Sequence, residues 1–102
     1  MLVNAFSLNM LASFNANIIV RPATAADAVA AFRCGGSGIG HADTANLLTG
    51  ILGVKVPTNR VTVSLSKGDR IIVAQYSGPR LSEGVTVLPE GSKIEFISVE
   101  VR

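Results

Sequence analysis

Cysteine and long apolar runs are almost absent from this sequence of 102 residues, and each absence excludes a class of protein. Cys34 is the single cysteine, so an internal disulfide cannot form, and we expect its thiol to be buried or half-buried as a small apolar group. No run approaches the roughly 18 apolar residues that cross a bilayer, and the N-terminus lacks the basic region and cleavage site of a signal peptide. We therefore expect a cytoplasmic protein that makes no membrane contact.

Metal ligands and basic clusters are also scarce. His41 is the only histidine and the carboxylates are not clustered, so the sequence predicts no metal site and no metal cofactor. The net charge is only +2, and the arginines are spread along the chain without a basic run. A surface for long nucleic acid is therefore not expected, whereas a small anionic ligand remains possible.

Hydrophobic residues make up 48% of the chain, which is enough for one small core, so we treat residues 1–102 as a single small domain. The apolar runs and alternating segments predict an α/β fold, in which a mixed sheet of about five strands packs with two or three helices. We expect the second strand to end at Pro22, and the third and fourth to form an antiparallel hairpin. The fourth is a nearly continuous apolar run, so we expect it to be buried on both faces of the sheet. The predicted strands span residues 1–6, 17–21, 60–66, 70–76 and 94–101.

Residues typical of helix ends predict the bounds of two helices. Thr24 precedes an alanine-rich segment, 25–33, and Asp27 falls in its first turn, where a negative charge suits the helix dipole. A second helix is predicted over residues 41–52, and Gly53 is a suitable residue to end it.

A glycine-rich stretch leads into the second helix and reads GGSGIGH over residues 35–41. Such a loop exposes backbone N–H groups beside the positive end of the helix dipole, which suits a phosphate or another anion. The spacing fits neither the nucleoside triphosphate loop, which needs a lysine after its last glycine, nor the dinucleotide pattern. Asp43 and Thr44 fall in the first helical turn, where they could cap free N–H groups or contact a ligand.

Several other polar residues have two interpretations each. Asn4 interrupts the apolar first strand and Gln75 lies near the end of a buried one, so each amide needs a hydrogen-bond partner. Ser7 and Asn9 suit capping and turn formation as well as a binding site.

The segment 77–92 is long for a connection in so small a domain, and such loops are often functional. It carries Arg80 and Glu83, which could equally form a solvated charge pair of little consequence. Arg60 could likewise be no more than a cation at a strand end.

Five motifs taken together identify a resemblance that covers nearly the whole chain. In this order and spacing they resemble the type III anti-CRISPR ring nucleases, a viral and proviral family of small dimeric α/β proteins that also occur as host enzymes. The motifs are NAFSLNM at 4–10, Gly40-His41 with a polar pair ending in Thr44, Pro57-x-Asn59-Arg60-Val61, Asp69 with Gln75 at the end of the next strand, and Arg80-Leu81-x-Glu83-Gly84.

The resemblance implies a metal-independent phosphodiesterase, without a cofactor, that cleaves cyclic tetra-adenylate and so shuts down type III CRISPR signalling. A homodimer would bind the ring across its two-fold axis in the cytoplasm, which is the host's if the protein is viral. The products would be linear oligoadenylates with 2′,3′-cyclic phosphate ends.

The resemblance also assigns roles to residues. It implies that His41, Arg80 and Glu83 are catalytic, with His41 protonating the 5′-oxygen that leaves when the ribose 2′-hydroxyl attacks its own phosphate. The residues implied to contact the substrate are Asn4, Ser7, Asn9, Gly40, Asp43, Thr44, Arg60 and Gln75.

Two other functions fit the same residues. A non-catalytic sponge would sequester the cyclic nucleotide without cutting it, and a small regulatory or interaction dimer would bind no nucleotide at all. Incubation with cyclic tetra-adenylate in the presence of EDTA distinguishes these possibilities from cleavage.

Overall fold

The structure, a computed structural model, describes the whole chain from Met1 to Arg102 as one five-stranded mixed sheet with two α-helices. The strand order is β2-β5-β4-β1-β3; β1 runs parallel to β3 and β4, whereas β5 runs antiparallel to β2 and β4. The predicted α/β fold is therefore confirmed. The elements are β1 (Leu2–Val3), a 3₁₀ helix (Leu8–Met10), β2 (Ile18–Ala23), α1 (Ala25–Gly35), β3 (Ser37–Gly38), α2 (Ala42–Leu52), β4 (Arg70–Ser77) and β5 (Lys93–Val101).

Strand β4 occupies the middle of the sheet, which explains its composition. Its residues from Ile71 to Ala74 are all buried, on both faces of the sheet. A strand with neighbours on both sides and cover on both faces needs a continuous apolar run rather than an alternating one. The sequence prediction of a doubly buried strand here is confirmed.

The two faces of the sheet are covered differently. Both helices pack on one face, where Ala28 of α1 and Leu48 of α2 contact a core that includes Leu2 and Ile72. Loops cover only part of the other face, and Val20 there is 61% exposed. A cleft of about 480 Å³ remains open on this second face.

The predicted strand over residues 60–66 is wrong. β4 pairs with β1 and β5, and the segment 60–66 makes only one isolated bridge, from Leu65 to Leu11. The alternation still reflects burial, because Leu65 is buried and Val63 packs against the loop-covered face, whereas Val61 is exposed. A segment that lies on a sheet face shows the same period of two as a strand, without a hydrogen-bonded partner.

One further expectation about the sheet is corrected, and one strand was not predicted. β2 does not stop at Pro22 but continues to Ala23, with Pro22 opposite Ile97 of β5. Because β2 is an edge strand, a residue without an N–H group can be accommodated there. The fifth strand, β3, lies inside the glycine-rich stretch, where two residues are too few to produce a periodic signal.

The expectation for Cys34 is also wrong, since its side chain is exposed. Helix α1 turns Ala28, Ala31 and Phe32 toward the sheet, and this places Cys34 outside that face. Neither helix is long and apolar enough to cross a membrane.

Candidate anion-binding site at the start of helix α2

The carboxyl ends of the three parallel strands lie side by side, which is where α/β sheets commonly bind ligands. Asn4 directly follows β1, and its Oδ1 accepts a hydrogen bond of 3.3 Å from the backbone N–H of Gly40, which lies shortly after β3. Asn4 also lines the open cleft together with Gln75 of β4. The fold thus brings three of the predicted substrate contacts to one edge of the sheet.

Helix α2 begins at this edge with an uncapped N-terminus. His41 is the N-cap residue, its side chain is exposed, and it makes no capping hydrogen bond. The backbone N–H groups of residues 41–44 donate to no group of the protein. Free N–H groups at the positive end of an 11-residue helix can bind an anion, and the imidazole lies beside them.

Arg60 adds a positive charge to the same place. Its Cγ and Nε would both lie 3.9 Å from a Cβ atom built on Gly40, so its side chain lies over the glycine that precedes His41. A guanidinium group beside free backbone N–H groups suits a phosphate.

Asp43 and Thr44 lie in the first turn of α2, half-buried, as the sequence predicted. Neither side chain forms a hydrogen bond, so the capping interpretation is not what the structure shows for either of them. The Asp43 carboxylate places a negative charge in the turn whose N–H groups are free.

The other predicted contacts lie in more exposed surroundings. Ser7 is the N-cap residue of the 3₁₀ helix, but its hydroxyl caps nothing, and Asn9 within that helix is exposed. Gln75 is exposed as well, so its amide is accessible to solvent and does not need the buried partner that the sequence predicted. All three side chains are therefore free to contact a ligand.

Arg80 and Glu83 lie in the loop between β4 and β5, and both are exposed. They form no ion pair with each other, and neither makes a hydrogen bond to His41. The loop nevertheless packs against α2, because a Cβ atom on Gly50 would overlap the carbonyl oxygen of Thr86. The loop that carries both residues thus contacts the helix that His41 begins, while the three predicted catalytic side chains stay apart.

Sequence reasoning missed two polar residues behind this site. Ser37 is the only buried polar residue. The side-chain amide of Asn59 donates to the Ser37 carbonyl in β3, and the backbone N–H of Asn59 donates to the Ile39 carbonyl. The available signals were a serine within a glycine run and an asparagine immediately before Arg60. No group of three or more histidine, cysteine or carboxylate side chains comes close enough together to hold a metal ion.

Comparison with known proteins identifies relatives of the chain. The family model described as STIV B116-like matches residues 1–99. Among solved structures, the chain is similar to B116 of Sulfolobus turreted icosahedral virus, with a TM-score of 0.79 and 32% identity over 97% of this chain and 96% of that one. None of the proteins with curated descriptions matches. The viral relative supports a viral origin, and the chain belongs to the STIV B116-like family.

Proposed function

We propose that this protein is a metal-independent ring nuclease that cleaves cyclic tetra-adenylate and thereby acts as an anti-CRISPR protein in the cytoplasm of a virus-infected host. The observation that carries the proposal is the open start of α2, where free backbone N–H groups, His41 and Arg60 meet at the ends of the parallel strands. The motifs that resemble the ring nucleases include these same residues. A phosphodiester is an anion of the kind that such a site can hold.

The proposed chemistry needs a proton donor and a means of stabilising negative charge. The ribose 2′-hydroxyl attacks the adjacent phosphorus and loses its proton to solvent, the bond to the 5′-oxygen breaks, and a 2′,3′-cyclic phosphate forms. His41 donates the proton that the departing 5′-oxygen takes up, since histidine exchanges protons near neutral pH. The N–H groups of α2 and the Arg60 guanidinium stabilise the charge that develops on the phosphate oxygens.

Arg80 and Glu83 complete the proposed site when the loop that carries them closes over a bound ring. In that arrangement Arg80 contacts the phosphate and Glu83 orients the His41 imidazole. The loop contacts α2 through Thr86 at Gly50, in the last turn of the helix, so closure must bring Arg80 and Glu83 toward the first turn, where His41 lies.

A homodimer is part of the proposal. The open face of the sheet carries an apolar cleft lined by Phe6, Val20, Ile97 and other side chains, with Asn4 among its polar residues. A second copy placed on this face would bury the exposed Val20 and bring two copies of the site near one two-fold axis. A four-fold symmetric ring could then contact both sites at once.

The direct test is incubation of the purified protein with cyclic tetra-adenylate in EDTA, followed by chromatography of the products. We expect linear oligoadenylates with 2′,3′-cyclic phosphate ends. The variant His41→Asn should be slower by about 10²- to 10⁴-fold, because it removes the proton donor while asparagine still suits the N-cap position. Thr58→Ala, at an exposed residue that makes no hydrogen bond, is the matched control and should cleave like the wild type.

The other outcomes separate the alternatives. If the ring is bound tightly but stays intact at high protein concentration, the protein is a sponge. If no cyclic oligoadenylate binds, the nuclease and sponge hypotheses both fail and an interaction dimer remains.

A further inference from the structure

The outer edge of β3 is covered by the segment 57–59, which is not a strand. Three contacts join them: the Ser37 hydroxyl donates to the Pro57 carbonyl at 2.7 Å, the Asn59 side-chain amide donates to the Ser37 carbonyl at 2.8 Å, and the Asn59 backbone N–H donates to the Ile39 carbonyl at 2.8 Å. The Ser37 hydroxyl also accepts from the N–H of Ile39 at 3.1 Å. We call these four hydrogen bonds the Ser37–Asn59 latch.

A second attachment holds the preceding residue to α2. The Thr49 hydroxyl accepts a hydrogen bond of 2.9 Å from the N–H of Val56, and its single proton lies within reach of the Ala45 carbonyl at 2.9 Å and the Val56 carbonyl at 3.3 Å. The segment that leads into Arg60 is therefore bound to β3 on one side and to α2 on the other. Arg60 is the first residue beyond these attachments.

The latch ends at the two residues that meet at the site. Ile39, which it holds through both backbone polar groups, is followed by Gly40 and His41, and Asn59 is followed by Arg60. The two segments are hydrogen-bonded to each other at Ile39 and Asn59, the residues that directly precede Gly40 and Arg60. This attachment holds the Arg60 side chain over Gly40. Burial of the Ser37 hydroxyl costs free energy unless it is fully hydrogen-bonded, and here it both donates and accepts.

We propose that Ser37 and Asn59 are positioning residues that fix Arg60 against the turn before His41. The effect on cleavage rests on the proposed function; the effect on the geometry of Arg60 does not. Neither residue contacts the ligand in this arrangement. Each acts through Arg60 and through the backbone that precedes His41.

A double-mutant cycle with Arg60→Ala tests the role in cleavage. Asn59→Ala should lower the cleavage rate by roughly ten- to a hundredfold, the cost of a small misplacement of a binding group. In the Arg60→Ala background the same change should have little further effect, because the residue on which it acts is gone. Asn59→Asp, which keeps the size but replaces the donor, should behave like Asn59→Ala, and the neighbouring Thr58→Ala should behave like the wild type. Losses that simply multiply in the double mutant would overturn the proposal.

A second measurement does not need a substrate. Nuclear Overhauser contacts between the Arg60 side chain and Gly40 should be present in the wild type and in Thr58→Ala, and absent from Asn59→Ala and Ser37→Ala. Hydrogen exchange at the Ile39 amide should become faster in Ser37→Ala, because this variant lacks the hydroxyl that accepts a hydrogen bond from the Ile39 N–H. If the wild type cuts no ring but these contacts respond as expected, the proposed function fails and the latch stands. If the contacts persist in both latch variants, the latch is wrong whatever the activity.

Discussion

Helices α1 and α2 have the same length of 11 residues, yet they begin in opposite ways. In α1, the Thr24 hydroxyl accepts from the N–H of Asp27 at 3.1 Å, and the Asp27 carboxylate accepts from the N–H of Thr24 at 2.9 Å. In α2, His41 occupies the equivalent position and caps nothing. One helix satisfies its own N-terminal donors, and the other leaves them free.

The difference separates a helix end that satisfies itself from the one that we propose binds the substrate. A capped N-terminus contributes about 1 kcal/mol to stability, and α2 forgoes that contribution. Its free N–H groups face the side where Asn4 and Arg60 meet Gly40, so they are available to a ligand. In α1 the Thr24 hydroxyl and the Asp27 carboxylate already accept from N-terminal N–H groups, so these donors are not available to an anion.

Replacing His41 by a capping residue should remove the difference, and because it also removes the proposed proton donor, this is the largest effect we expect. His41→Asp and His41→Asn both supply a good N-cap side chain and should raise the free energy of unfolding by about 1 kcal/mol in urea titrations. His41→Asp should also weaken binding of cyclic tetra-adenylate more than His41→Asn does, because it adds a negative charge among the free N–H groups. Equal binding by the two variants would show that the phosphate does not lie at this helix end.

The two helices also differ in their interior, because α2 contains Gly50 where the loop packs against it. A substitution at Gly50 tests whether this contact requires a glycine. Replacing an interior helical glycine by alanine ordinarily stabilises a helix by about 1 kcal/mol. Here Gly50→Ala should destabilise the protein by about 1–3 kcal/mol, because the new methyl group would overlap the Thr86 carbonyl.

The same substitution should slow cleavage, since it displaces the loop that carries Arg80 and Glu83. Ala30→Gly, at an exposed position of α1, provides the reference value and should cost about 1 kcal/mol without affecting cleavage. A Gly50→Ala variant that is more stable than the wild type would show that the loop does not rest on α2.

The smallest effects concern the cap of α1. Thr24→Ala should cost about 1 kcal/mol at pH 7 and leave cleavage unchanged. Hydrogen bonds from the Thr24 backbone and then from its side chain lower the pKa of Asp27 from its ordinary value of 3.8. A carboxyl with a lowered pKa in the folded state stabilises the protein above its ordinary pKa, and this contribution is lost as the pH falls through the lowered value. Stability measured between pH 5 and about pH 2 should therefore fall less steeply in Asp27→Asn than in the wild type.

Local signals in the sequence were sufficient where one segment determines its own structure. Thr24 with Asp27 predicted the start of α1, and Gly53, which adopts a left-handed conformation with φ of 71°, predicted the end of α2. The apolar run in β4 predicted a strand covered on both faces. These features depend on hydrogen bonds and burial within a few residues, so they could be read in order along the chain.

Local signals failed where the partner lies far away in the sequence. Alternation in 60–66 indicated a strand, but the neighbouring places beside β4 are taken by β1 and β5. Pro22 indicated a strand end, yet the position of β2 at the sheet edge allows the strand to continue. Which strands pair depends on all the segments that could take a place in the sheet. The sequence of one segment therefore does not determine its neighbours.

For the candidate site, the sequence by itself determined the residue types, the glycine-rich approach to His41 and the start of the helix there. Only the tertiary structure decided that Asn4 and Arg60 meet at Gly40, that Ser37 and Asn59 hold them there, and that Thr86 rests on Gly50. The physical reason is that these contacts join residues distant in the chain, so they depend on how the strands and loops pack. Local periodicity carries no information about that packing.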